Sequence, residues 1–359
     1  MTYIQRMLNT RAGEFYNAND VVNSNDLRKR IINVDSRFRN NLTEPSTSFM
    51  YNCEHTYKNI IRLRLASVEI PNMFNVFSVA RGNLSFVIKA LDIFEITREL
   101  KVVIDPGNYT SDELITEIQN ELDANFKNCF GIFIQISIHP FTARVTFTNL
   151  GVADPATMTP SSGPTESAKN FILDFHSDNY LVKPRKQDFG LGYNLGFRMK
   201  LYRATTVTVV GTMDTYSVTS EGCIDVVGDT YMFLCVNDFH CVEQKTDVDY
   251  LQCLAKIIIR EDKYAVIYDD GSCLLSNEII FPSPVDINVL NVKLVDLYGC
   301  PIDLCGMNFA FSLEITEVLN TALYDFYRNY IWMGTIPSVP YRTVRGSAQP
   351  LLKGIGPPF

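Results

Sequence analysis

Val292-Lys-Leu-Val-Asp-Leu-Tyr-Gly-Cys-Pro-Ile-Asp-Leu-Cys-Gly-Met-Asn-Phe-Ala-Phe-Ser-Leu-Glu-Ile315 reads as strand, turn, strand. Phe309, Phe311, Leu313 and Ile315 alternate with Ala310, Ser312 and Glu314, which gives an apolar face and a small or polar face. The Tyr-Gly-Cys-Pro and Cys-Gly-Met pieces between the two runs are turn material. The same period of two recurs upstream. Ile61, Leu63 and Leu65 alternate with Arg62 and Arg64, and the apolar parity then shifts to Val68 and Ile70. A one-residue slip inside a strand predicts a bulge near Ala66-Ser67. Ile132, Ile134, Ile136 and Ile138, followed by His139-Pro140 and then Ala143, Val145 and Phe147, predict a hairpin. Further strands are expected around 191–198, 204–212, 229–236, 254–260, 275–281 and 289–296.

One segment breaks this pattern. Thr110-Ser-Asp-Glu113 is a capping box, and Leu114, Ile115, Ile118, Leu122 and Phe126 follow at helical spacing, so a helix is expected over 111–126. The fold class expected is all-β: an antiparallel jelly-roll sandwich with one inserted helix and extended N- and C-terminal segments. Strands early in the chain should pair with late ones, as Greek-key connections require. Residues 1–29 lack a period and read as an arm, 30–316 as the β domain, and 317–359 as a C-terminal helix and extended tail. Two β domains split near the Pro/Ser-rich segment 151–168 are the alternative.

The chain has 359 residues, 46% of them apolar, with a net charge of −8. Residues 1–39 and 333–359 carry +3 each, which leaves −14 on the body. An acidic body argues against specific nucleic acid as a partner, because phosphate binding needs clustered cations. The basic ends suit segments that lie on an acidic neighbour. The nine cysteines are odd in number and contain no Cys-x-x-Cys pair, so free thiols in a reducing compartment are expected. The start of the sequence holds no continuous apolar run of the kind that marks a secretory signal.

No catalytic motif stands out. The four histidines, His55, His139, His176 and His240, are never three or four residues apart. Tyr268-Asp-Asp-Gly-Ser272 reads as a turn without enough oxygen ligands for calcium, and Cys300 and Cys305 alone do not make a zinc site. Gly190-Leu-Gly-Tyr-Asn-Leu-Gly196 lacks phosphate-loop spacing and reads as a strand with glycines at close backbone approaches. We therefore expect no enzyme activity, catalytic residue, metal or cofactor.

Ile32-Asn-Val-Asp-Ser-Arg-Phe-Arg39, Leu63-Arg-Leu-Ala-Ser-Val-Glu-Ile-Pro-Asn72, Pro106-Gly-Asn-Tyr-Thr-Ser-Asp-Glu-Leu114, Leu191-Gly-Tyr-Asn-Leu-Gly-Phe-Arg198, Ser220-Glu-Gly222, Tyr231-Met-Phe-Leu-Cys-Val-Asn-Asp-Phe239 and the opening stretch, in that order, carry a resemblance. Together they resemble minor capsid proteins of large icosahedral double-stranded DNA viruses, of the chlorella virus, mimivirus and marseillevirus type. The resemblance implies a structural subunit of the virion shell, assembled in the host cytoplasm, lying beneath or between major capsid trimers. Its implied partners are the major capsid protein, other minor capsid proteins and the inner viral membrane surface. A five-fold vertex (penton) protein is one alternative. A carbohydrate- or receptor-binding virion surface protein is another, with Asn72-Met-Phe-Asn75 or Asn237-Asp-Phe239 as ligand loops.

Partner contacts are expected from the terminal segments. In the arm, Tyr3, Ile4, Phe15 and Tyr16 are apolar residues without a core of their own. In the C-terminal segment, Tyr324, Phe326 and Trp332 are the aromatics an interface core favours, and Arg342, Arg345 and Lys353 would meet acidic patches. The competing expectation is that the 317–332 helix caps one end of the sandwich and buries its rings internally.

Overall fold

In a computed structural model, residues 27–153, 163–164, 166–176, 190–204, 206–210, 213–245, 250–270, 278–322 and 324 are described. In chain order the strands are β1 (Leu27–Asp35), β2 (Ser48–Pro71), β3 (Ser85–Leu91), β4 (Thr97–Val103), β5 (Ile132–Ile138) and β6 (Val145–Val152). Next come β7 (Phe171–Asp174), β8 (Leu201–Arg203), β9 (Thr206–Val210), β10 (Met213–Thr219), β11 (Tyr231–Val236) and β12 (Val242–Lys245). The last are β13 (Tyr250–Cys253), β14 (Ala255–Ile258), β15 (Val266–Asp269), β16 (Ile279–Val295) and β17 (Ala310–Val318). The main helix, α1, is Ser111–Leu122.

Among the described residues every strand pair is antiparallel, and early strands meet late ones: β1 lies on β17, and β2 lies between β17 and β16. This is the jelly-roll class the alternation implies. The opening stretch does form strand, turn, strand, but β16 and β17 do not pair with each other. They flank β2 on opposite edges, in the order β1-β17-β2-β16-β11-β14. The connection between them is pinned across the end of the sheet. The Asp296 carboxylate accepts from the amides of Tyr298 and Cys300, both at 2.9 Å. Thr47 Oγ1 donates to the Ile302 carbonyl at 2.6 Å, and Ser46 Oγ to that of Met307 at 2.6 Å.

The slip read at Ala66 is real. Ser312 faces Ser67 while Leu313 faces Leu65, so Ala66 is the extra residue of a bulge. The stretches expected as separate strands at 275–281 and 289–296 are instead joined as the 17-residue β16. Its register shifts three times between Ile280 and Val289. These bulges hide the period of two, which is why the sequence reads as two strands.

Among the described residues, two large apolar cores form, with two small clusters beside them. The first gathers β1, β2, β11 and β14–β17, with Ile32, Leu63, Val68, Leu234, Leu290, Phe311 and Leu313 inside it. The second draws only on residues between 76 and 226. In it the sheet β4-β3-β7-β8 faces the sheet β5-β6-β10-β9, with Phe86 packed edge-on against Phe147 at 5.7 Å. The chain passes from the first core to the second at 74–76 and returns between 226 and 232. The 151–168 segment lies within the span of the second core.

α1 packs on the second sandwich through Leu114, Ile118 and Leu122. Thr110 Oγ1 accepts from the Glu113 amide, and Glu113 Oε2 accepts from the Thr110 amide, so the capping box is formed as read. Beyond Leu122 the helix widens into a π turn, Asp123–Lys127, that keeps Phe126 buried. The strand expected at 191–198 is absent: Leu191–Asn194 is a single helical turn. Gly190 (φ 56°) and Gly196 (φ 89°) bracket it in backbone conformations no strand uses. The expected close approaches are present, because a Cβ on Gly192 would lie 2.4 Å from the Phe175 ring and one on Gly196 2.3 Å from the Gly222 carbonyl oxygen.

Candidate interaction surfaces

From Arg28 to Arg39, each described cation is paired within the fold. Arg28 and Arg30 both pair with the buried carboxylate of Glu317, at 2.7 and 3.2 Å. Lys29 and Arg64 share Glu314, at 2.8 and 2.6 Å, and the hydrogen bond from Arg64, then that from Lys29, holds the Glu314 carboxyl below its ordinary range. Arg37 pairs with Asp35, and its hydrogen bond lowers the Asp35 pKa. Arg39 spends its guanidinium on the carbonyls of Ser36, Leu42 and Glu44 and on Asn308. Arg28, Lys29 and Arg30 tie β1 to β17, Arg64 ties β2 to β17, and Arg37 and Arg39 brace the turn after β1. Net charge summed along a sequence cannot reveal this pairing.

Leu27 is in register with Val318, so the chain enters and leaves the first sheet at one point. The strand runs to Val318, beyond the Thr316 end expected from sequence, and helical backbone is described at Thr321, Ala322 and Tyr324. Tyr324, one of the expected contact residues, is 1% exposed and packs with Leu27, Ile61 and Val318. Tyr3, Ile4, Phe15, Tyr16, Phe326, Trp332, Arg342, Arg345 and Lys353 lie outside the described residues.

Two apolar surfaces were not read from sequence. On β15, which pairs with β2 alone among described residues, Val266 and Tyr268 are exposed on the face opposite buried Ile267, and Tyr264 is exposed just before the strand. Alternation was the available signal, but the turn Asp269-Asp-Gly drew the reading instead. The second surface is Phe38, 71% exposed, with Leu42 on the same turn. The turn is tied to the start of β2 and to the β16–β17 connection by the Asn40 amide to the Met50 carbonyl and by Arg39 to Asn308.

The loops suggested for carbohydrate behave differently from that reading. Asn72 and Phe74 are buried, and Asn72 Nδ2 donates to the carbonyls of Glu261 and Asp262. They form a clamp, not a ligand loop. Asn237 bridges strands, accepting from the Asn291 amide at 2.6 Å and donating to the Val289 carbonyl at 3.1 Å. Beside it a cleft of about 740 Å³ lies between β11, β13 and β16, lined by Asp238, Tyr250, Asp286, Asn288 and Lys293 among others. Among the described residues, no group of three or more His, Cys, Asp or Glu is placed to hold a metal ion, and no helix is long and apolar enough to cross a membrane.

Neither a protein-family model nor a curated protein matches the chain. Among solved structures, it is similar to the penton protein of mavirus, at 10% identity and a TM-score of 0.39 over 80% of this chain and 98% of that one. It is also similar to a chain of the Sputnik virophage particle determined by cryo-EM, at 12% identity and a TM-score of 0.40 over 81% and 98%. Strand pairing, not these distant likenesses, defines the architecture described above.

Proposed function

We propose that this chain is a structural minor capsid protein that binds neighbouring capsid proteins and stabilises an icosahedral shell, beneath or between trimers of the major capsid protein. The observation that carries the reading is where the resembling blocks fall. They occupy joints of the fold: the Asp35–Arg39 turn, the bulge and clamp over 63–72, the capping box, and the crossing of Gly196 with Gly222. A resemblance seated on load-sharing joints reflects a shared scaffold, and a scaffold is what a shell subunit supplies. The terminal segments support the same reading. Leu27 and Val318, at the inner ends of the two terminal segments, are paired, so load taken up by either segment would reach the same edge of the first sheet.

Mass spectrometry of purified virions followed by a cryo-EM reconstruction tests this. The expected result is density for the two-core fold beneath or between trimers. Density at the five-fold axes selects the vertex alternative. Absence of the chain from purified particles overturns the capsid reading, and glycan-array binding by the isolated protein selects the surface-receptor alternative.

A further inference from the structure

We propose that Cys235 and Cys253 form a redox-active dithiol that closes to a disulfide on oxidation and locks β11 to β13 at the floor of the cleft. Their Sγ atoms stand 3.0 Å apart, 18 residues apart in sequence, so about 1 Å of closure reaches a covalent S–S bond. The backbone is already joined at this point, because the Leu254 amide donates to the Leu234 carbonyl at 2.9 Å. The two thiols belong to a small apolar cluster with Phe233, Val242, Leu251 and Val295.

The pair is asymmetric in access and in acidity. Cys253 is 1% exposed, whereas Cys235 lines the cleft and is open to a small reagent. Cys235 is in register with Lys293 on β16. The hydrogen bond shared with Cys253 pulls the Cys235 thiol below its ordinary value, with the Lys293 ammonium acting in the same direction. The same hydrogen bond, together with burial, pushes the Cys253 thiol up. Cys235 is thus the attacking thiolate and Cys253 the resolving thiol.

The oxidant class that fits is a low-molecular-weight disulfide of the glutathione type. The Cys235 thiolate attacks one of its sulfurs. A Cys235–S bond forms, the small S–S bond breaks, and the departing small thiolate takes the proton Cys235 gave up. The Cys253 thiolate then attacks Cys235 Sγ and displaces the second small thiolate, which takes the proton from Cys253. Two protein thiols lose two electrons and two protons, and the small disulfide gains them as two thiols. The chain would therefore be open in a reducing compartment and bridged outside it.

The test uses the full-length purified protein, first reduced and then titrated with oxidised glutathione, quenched with iodoacetamide and mapped by mass spectrometry. The expected product is a Cys235–Cys253 linked peptide pair, two hydrogens lighter than its parts. It should form at oxidant ratios that leave the exposed Cys129, Cys223 and Cys305 alkylated. Closing this loop should raise the melting temperature by roughly 5 °C. The gain should be lost in Cys253→Ala and kept in Cys241→Ser, a variant of the next cysteine along the chain. Alkylation of both Cys235 and Cys253 under oxidant, a glutathione adduct on Cys235 that never resolves, or a bridge from Cys235 to Cys241 would each overturn the proposal.

Discussion

Lys263 shows what the fold demands of one residue. Its ammonium lies over the Phe74 ring, 3.4 Å from the centroid, and donates to the Phe74 carbonyl at 3.0 Å. The place is where the cores meet, beside the Arg81–Asp229 ion pair and the contact of Val76 with Gly228. Burial, then repulsion from Arg81, brings the Lys263 pKa down to about 8 from 10.5, against attraction from Asp229 and Cys305. The native state thus releases this proton earlier than the unfolded chain. Between about pH 8 and 10.5 the unfolded chain binds more protons, so stability rises with pH across that window and the penalty is fully present below it. The melting temperature of the wild type relative to Lys263→Met should therefore climb from pH 7.5 to pH 10, as checked by calorimetry. A flat difference would show that Lys263 titrates normally. The sequence carries no trace of this. A lysine in Glu-Asp-Lys-Tyr reads as surface, and only the clamp of Asn72 around 261–262 draws it inward.

At the scale of elements, alternation and capping were legible where one face of the element is buried and the other is not. The β5–β6 hairpin, the Ala66 bulge and α1 all follow from side-chain order alone. β16 and the 190–196 segment did not, because bulges in one and positive-φ glycines in the other cancel the period. Gly196 makes the point testable. A methyl group there would meet the Gly222 carbonyl oxygen at 2.3 Å, with φ at 89°. Backbone cannot yield as a side chain can, so Gly196→Ala should cost about 3 kcal/mol or more, from strain plus overpacking. Gly306 has a similar φ of 78° with nothing within 4 Å of its Cβ position. Gly306→Ala should cost only the left-handed penalty of roughly 1–2 kcal/mol. Urea unfolding of both variants measures the gap, and equal losses would mean that the 196–222 crossing relaxes.

For the whole molecule, the pairing of early with late strands was readable, because alternating strands at both ends of a long chain need partners. The division of the core was not, since nothing in composition marks 74–76 or 226–232. We propose that the segment between these points is an inserted unit with its own cooperativity. Its apolar residues bury one another and none is shared with the first core; among the described residues, the Arg81–Asp229 pair, Val76 on Gly228, and Lys263 lie at the joint. Cores that share few side chains open with separate free energies. Phe147 is buried in the second core between Phe86 and Phe197. Phe147→Ala should remove about 3–5 kcal/mol there. Native-state hydrogen exchange should then show lost protection in β3, β5 and β6, while amides of β2, β16 and β17 keep theirs. An equal loss in both sets would mean that the chain opens as one unit and that the joint couples the two cores fully.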